Sequence, residues 1–234
     1  MAMSNARITS KIARTPSRTP KRRDAVRTRE TLLAAAAEAF ARHGYRDTPV
    51  RKICAEAKVN LGAVSHYFGS KEALYREVLV MAHRQLVDAE PVPEMSPGDD
   101  PRAALRNWVR YALRLFLLRR AAHPHARRLF AWELRDPTPA LDELIALVML
   151  PVRQALERIV AALLGDADEP RLRGQCANFV GAVCIMHEQG QEIVRRFGHP
   201  VPHNESGVDL LADRITEFAV GGIERIRDGG NGSF

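Results

Sequence analysis

The sequence predicts an all-α protein: a small N-terminal three-helix unit followed by a larger helical region. Three observations carry that prediction. Apolar residues recur at i, i+3 and i+4 along almost the whole chain. No stretch alternates apolar and polar residues with the period of two that a half-buried strand requires. Capping residues, prolines and glycines fall at the joins between apolar stripes, where helices start and stop.

The first helix is expected over Asp24 to His43, where Leu32, Leu33, Ala36, Ala37, Phe40 and Ala41 form one face. Gly44 follows at the position that glycine favours past a helix end, and Tyr45 plugs the small core. Thr48 can N-cap a helix opening at Pro49, with Ile53, Cys54 and Ala57 as its apolar face. Asn60 can cap a short helix from Leu61 to Phe68, and Ser70 a third from Lys71 to about Ala89. Two short helices separated by a turn of about four residues make the helix-turn-helix plan, whose second helix enters the DNA major groove.

Pro91, Pro93, Pro97, Gly98 and Pro101 then mark a linker over 91–101. Beyond it, helices are expected over Arg102 to about Ala122, His125 to Leu134, and Ala140 to Leu164. The last of these should kink at Pro151 and end at Gly165. Arg171 to Phe197 reads as one further helix, and Val208 to Arg227 as the final one, capped by Ser206-x-x-Asp209. The expected organisation is therefore an arm (1–23), a helix-turn-helix domain (24–75) and a helical domain (76–228).

Composition narrows the function. The chain has 234 residues, 46% of them apolar, which is enough for a sizeable core. Its net charge of +7 is unevenly placed. Residues 1–23 carry Arg7, Lys11, Arg14, Arg18, Lys21, Arg22 and Arg23 with no acid, whereas the remainder is near neutral. A basic arm on a neutral body suits a polyanion better than an acidic metabolite. The arm, rich in Arg, Ser, Thr and Pro, is expected to be disordered, either as a solubilising tail or as an extra phosphate contact.

Cys54, Cys176 and Cys184 sit in apolar helical patterns and read as reduced core residues of a cytoplasmic protein. No run approaches the roughly eighteen apolar residues of a membrane span, and the basic N-terminus lacks the apolar segment of a secretory signal. No membrane partner is expected.

Residues 28–76 resemble the DNA-binding region of TetR-family transcriptional regulators. The resemblance runs through the alanine-rich first helix, Gly44-Tyr45, Thr48 and Ile53-Cys54-x-x-Ala57. It continues through Val59-Asn60-x-Gly62-x-Val64-x-His66-Tyr67-Phe68 and Lys71-Glu72-x-Leu74. The segment Trp132-Glu133-Leu134-x-Asp136-Pro137-Thr138-Pro139-Ala140-Leu141-Asp142 resembles the CerR-type (YbiH-like) C-terminal subgroup.

The resemblance implies that Thr48, Tyr67 and Lys71 meet DNA phosphates. On the recognition helix, Leu61, Val64 and Phe68 are expected to turn toward the core. Gly62, Ala63, Ser65, His66 and Tyr67 are then left toward DNA, with Ala63 placed to touch a thymine methyl. His66 reads as a phosphate contact before a base reader. Arg27, Pro49, Arg51, Lys58, Asn60 and the helix-opening Leu61 complete the candidate DNA-contacting set. No Arg, Gln or Lys lies between Leu61 and Phe68, so specificity is expected to lean on DNA shape, the arm or Arg51. Lys58 stands where the family usually has glycine, at a cost on the order of 1 kcal/mol if it must adopt the left-handed conformation.

Candidate residues for an effector pocket are Trp108, Tyr111, Phe116, Arg128, Trp132, Glu133, Phe179, Met186 and His187. Ordinary core packing competes for the aromatics, and a surface pair for Arg128 with Glu133. The Cys176, Cys184, His187 and His123, His125 spacings favour packing over metal, and no cofactor is expected. On the last helix Val208, Leu211, Ile215, Phe218, Ala219, Gly222 and Ile226 form a dimerisation stripe with small residues where helices can cross closely. The expected function is a dimeric regulator, a repressor binding palindromic operator DNA and released by an unidentified small molecule. A ligand-independent architectural DNA-binding protein is the alternative. No nucleophile–base pair supports an enzyme.

Overall fold

The computed structural model describes residues 20–119 and 122–229, and every regular element among them is helical. The first unit holds α1 (Pro20–His43), α2 (Val50–Glu56), α3 (Ala63–Phe68) and α4 (Lys71–Val87). Then come α5 (Pro101–Leu113), running on as a wider π-helical segment Arg114–Arg119, and α6 (Pro124–Arg135). Helix α7 (Ala140–Leu144) passes through a second π segment, Ile145–Met149, into α8 (Leu150–Leu164). A 3-10 turn (Gly165–Ala167), α9 (Pro170–Gln189), α10 (Gln191–Arg196) and α11 (Glu205–Asp228) complete the order.

Several boundaries differ from expectation, each for a local reason. Helix α1 begins at Pro20, so residues 20–23 are helical; the rest of the expected disordered arm, 1–19, lies outside the described residues. Ser70 caps α4 as expected, its Oγ accepting from Ala73 N at 3.0 Å. No side chain caps α3: its first turn closes through the backbone, Ala63 N donating to Asn60 O at 3.1 Å. Asn204 rather than Ser206 caps α11, accepting from Gly207 N at 2.9 Å. The segment expected as one helix over 171–197 divides at Gly190 into α9 and α10.

Pro151 does not simply break its helix. Leu150 N bonds Ile145 O, five residues back, so the chain widens by one residue per turn just before the proline. That wider turn relieves the clash between a proline ring and the carbonyl four residues earlier.

Two buried clusters hold the molecule. One joins α1 to α4 with Tyr111, Leu115, Ala126, Leu129, Phe130, Ala140 and Leu144. The other packs α5, α8, α9 and α11 around Leu105, Trp108, Leu156, Ile159, Cys184, Val208 and Ala212. The boundary placed at 75/76 falls within α4, whose Leu74, Tyr75, Val78 and Leu79 form one continuous buried stripe. The N-terminal core therefore runs on into α6 and α7 without a gap.

Candidate DNA interface and effector cavity

The recognition segment presents an unexpected face. Leu61, expected on the core side, is 63% exposed, whereas Ala63, expected toward DNA, is buried beside Val64. The reason is the late helix start: with Asn60 to Gly62 in a turn, the first residue of regular helix is the one that meets the core. Gly62, Ser65 and His66 are exposed, and Tyr67 and Phe68 are half-buried, the Tyr67 ring standing edge-on to His66 at 4.8 Å. The exposed apolar side chain in this segment is thus Leu61, not Ala63.

Thr48 is a second correction. Its side chain is fully buried, and its hydroxyl donates to Gly44 O at 2.7 Å, with Ala39 O at 3.3 Å. It does not cap α2, where Pro49 is the N-cap residue, and its hydroxyl is turned inward, away from the exposed face expected to meet phosphates. Its work is to tie the α1–α2 turn to the end of α1. Arg27, Pro49, Arg51, Lys58 and Asn60 are exposed. Lys71 is partly engaged: its ammonium lies 4.4 Å from the Tyr45 ring centre and 3.4 Å from Arg46 O. Desolvation there lowers its pKa from the usual lysine value, against a smaller opposing effect of Asp47.

Lys58 takes φ +56°, the sole positive φ outside glycine among the described residues. Lys58 N bonds Ala55 O at 3.2 Å and Val59 N bonds Cys54 O at 3.0 Å, the paired bonds of a Schellman turn whose left-handed position favours glycine. Lys58→Gly is expected to stabilise the fold by up to ~1 kcal/mol. It is also expected to weaken DNA binding and lower the log–log salt slope by about one unit. Denaturant titration and anisotropy across a salt series measure the two effects; an unchanged slope removes the Lys58 ammonium from the interface.

The pocket candidates separate into three places. Trp108 and Phe116 line a cavity of about 500 Å³ between α4, α5, α8 and α9, together with Leu86, Val148, Leu156 and Ile185. Phe179 lies instead in a smaller apolar groove between α9 and α11, with Ile215, Phe218, Gly222 and Ile226. Tyr111 is buried in the N-terminal core, where desolvation raises its pKa to about 12. Arg128 and Met186 are exposed, and His187 turns its Nδ1 to Val183 O at 2.7 Å; none of the three lines the cavity. The stripe expected on the last helix is divided between buried and exposed residues. Val208 and Ile215 are buried in their own protomer's core because that side of α11 packs on α5 and α8, while Phe218 is 83% exposed and Phe179 69%.

Trp132 and Glu133 are not pocket residues; they join the two halves. The Trp132 ring lies across Gly44, where a Cβ would come within 3.0 Å of it, and its Nε1 donates to Ala41 O at 3.2 Å. Glu133 is 1% exposed rather than part of a surface pair. Its carboxylate accepts from Tyr75 OH at 2.5 Å, Thr138 N at 2.9 Å and Thr138 Oγ1 at 3.0 Å. Burial, then this hydrogen bond, push the Tyr75 hydroxyl far above its ordinary pKa. Arg46 adds a bidentate contact to Asp136 at 2.5 and 2.9 Å, and His125 meets Glu38 at 2.6 Å. This clamp was not legible from composition or spacing, although the Trp132-Glu133 motif that forms it was conspicuous.

Comparison with known proteins agrees with the geometry. Residues 32–78 match the family model for bacterial regulatory proteins of the TetR family. Residues 101–223 match that for the C-terminal domain of the HTH-type transcriptional dual regulator CecR. CecR of Shigella flexneri is 27% identical over 197 residues, 80% of this chain and 87% of that protein. RutR of Escherichia coli K12 is 35% identical over 119 residues, 50% of this chain and 52% of RutR. A TetR-family regulatory protein from Rhodococcus RHA1 shares the fold, with a TM-score of 0.57 at 23% identity over 84% of this chain and 96% of that one. The chain belongs to the TetR family of DNA-binding transcriptional regulators, with a C-terminal domain of the CecR type.

Proposed function

We propose that this regulator is a dimeric repressor that holds a palindromic operator and releases it when a small molecule enters the cavity of the C-terminal half. One observation carries the reading: α4 is a single element shared by both ends of the process. Leu74 and Tyr75 near its start are buried in the DNA-binding unit, while His83, Leu86 and Val87 near its end line the cavity. A ligand that prefers a displaced α4 therefore shifts the recognition helix, by no more than its differential affinity for the two conformers. Leu61 and Ser65 are the groove-facing residues in this reading, with Arg51, Lys58, His66 and Tyr67 toward phosphates. Leu61 is suited to a thymine methyl, and His66 to a phosphate.

Dimerisation is assigned to the α9–α11 face, where Phe179, Met186, Phe218 and Ile226 are exposed beside Gly221 and Gly222. A large apolar patch of this kind calls for a partner, and a two-fold copy would present two recognition helices about one DNA turn apart. Phe218→Glu is expected to raise the dimer dissociation constant by at least ~30-fold, the effect of losing a central aromatic anchor. Sedimentation equilibrium measures this, and operator affinity should fall with it. The whole reading is tested by selecting operator fragments in vitro, following their release in anisotropy titrations, and recording a promoter fusion with and without the gene. Binding that no small molecule releases favours ligand-independent architecture instead.

A further inference from the structure

The cavity has one charged end. Apart from His83, which lines it from α4, its other walls are apolar: Leu86, Val87, Trp108, Leu115, Phe116 and Ile145 are among them. No Asp or Glu lines it among the described residues, and Arg153, next to Asn178, is the one Arg or Lys in its lining. Arg153 is already oriented by three acceptors: Glu157 at 2.8 Å from its Nε, Asn178 Oδ1 at 2.5 Å and Gly174 O at 3.4 Å. That arrangement uses the oxygen of Asn178, and a guanidinium has five N–H groups. What this end of the cavity offers a ligand is therefore N–H donors, from Arg153 and from the Asn178 amide.

Resting on the ligand-released reading above, we infer that the effector is an amphipathic molecule with an apolar body and one hydrogen-bond-accepting, anionic head, and that cations are rejected. A body in the apolar section loses water at no polar cost, and the head meets donors rather than acceptors. A cationic head would meet the guanidinium, whose carboxylate partner Glu157 does not itself line the cavity. The volume is within the range of small-molecule sites. Gly181 supplies a clean control, because it lines the cavity and a Cβ built there meets nothing within 4 Å. A larger side chain at 181 fills ligand space while improving helix propensity.

The test uses two probes with one ten-carbon chain, decanoate and decyltrimethylammonium, below their micelle concentrations. Isothermal titration is run on the full chain without DNA, and on Gly181→Trp, Gly181→Leu and Arg153→Met, each checked for an unchanged melting transition. Decanoate is expected to bind once per chain, at least about tenfold more tightly than the ammonium. Both Gly181 variants should weaken it strongly, with Leu serving if Trp fails to fold. Arg153→Met should weaken it about tenfold, the effect of losing a charge-assisted hydrogen bond. Equal or tighter binding of the ammonium overturns the inference. So do undiminished binding to the Gly181 variants, indifference to Arg153→Met, and no binding by either probe. Operator release is read separately: decanoate that binds without releasing DNA refutes ligand-released regulation at this site and leaves the ligand chemistry standing.

Discussion

Glu133→Ala is expected to destabilise the fold by about 3 kcal/mol, the combined effect of a lost charge-assisted acceptor and a buried donor left without one. The carboxylate holds Tyr75 OH, Thr138 N and Thr138 Oγ1 together. Alanine removes all three bonds and strands the Tyr75 hydroxyl, on a side chain 1% exposed. Tyr75→Phe should cost less, about 1.5 kcal/mol, because Glu133 keeps both bonds from Thr138. The double variant is expected to show a coupling of about 1–2 kcal/mol, since the two groups share one bond. Denaturant unfolding of the four proteins measures each value. Purely additive losses would mean that the contact carries no free energy of its own.

The same pair bears on regulation. Tyr75 sits on α4 and Glu133 on α6, so their bond ties the helix that runs out of the DNA-binding unit to α6. If the ligand-released reading proposed above holds, Tyr75→Phe should leave operator affinity within a few-fold while reducing the factor by which an effector weakens it. Coupling between sites needs an element with two arrangements, and loosening its anchor blunts the difference between them. An undiminished release factor would place the transmission elsewhere on α4.

How much of this was legible beforehand follows from which forces are local. Helix periodicity is local, so the all-α class, the break over 91–101 and the Ser70 cap could be read directly. The positive φ of Lys58 was raised as a condition by the resemblance, which puts glycine at that position, and the Schellman turn is the local reason for it. Ala63 and the core-side placement of Leu61 were misread because regular helix begins only at Ala63: Leu61 stands in the turn before it, while Val64, Ser65 and His66 keep the faces expected of them. Thr48 carried the sequence signal of a cap, yet the N-cap position falls one residue later at Pro49, and the Thr48 hydroxyl donates back to Gly44 O instead. The pocket residues scattered most. Trp132, Phe179 and Trp108 look alike as aromatics on helices, and only tertiary packing sends them to a clamp, a groove and a cavity.

Gly44→Ala is the second large effect, expected at about 3 kcal/mol, because two independent penalties fall on one methyl group. Gly44 has φ +75°, closes α1 through Gly44 N to Phe40 O at 2.8 Å, and presents its own carbonyl to Thr48. Any side chain strains that conformation by about 1 kcal/mol or somewhat more. The added Cβ would also stand 3.0 Å from Trp132 Cδ2 and 3.1 Å from Cε3. The ring must then retreat, lengthening its bond to Ala41 O and pulling Asp136 away from Arg46. Trp132→Ala separates the two penalties. In that background the indole is gone, so Gly44→Ala should cost only the conformational part, about 1 kcal/mol. A full loss of about 3 kcal/mol persisting without Trp132 would show that the backbone alone demands glycine. It would also show that the close approach of the two halves does not depend on the absence of that Cβ.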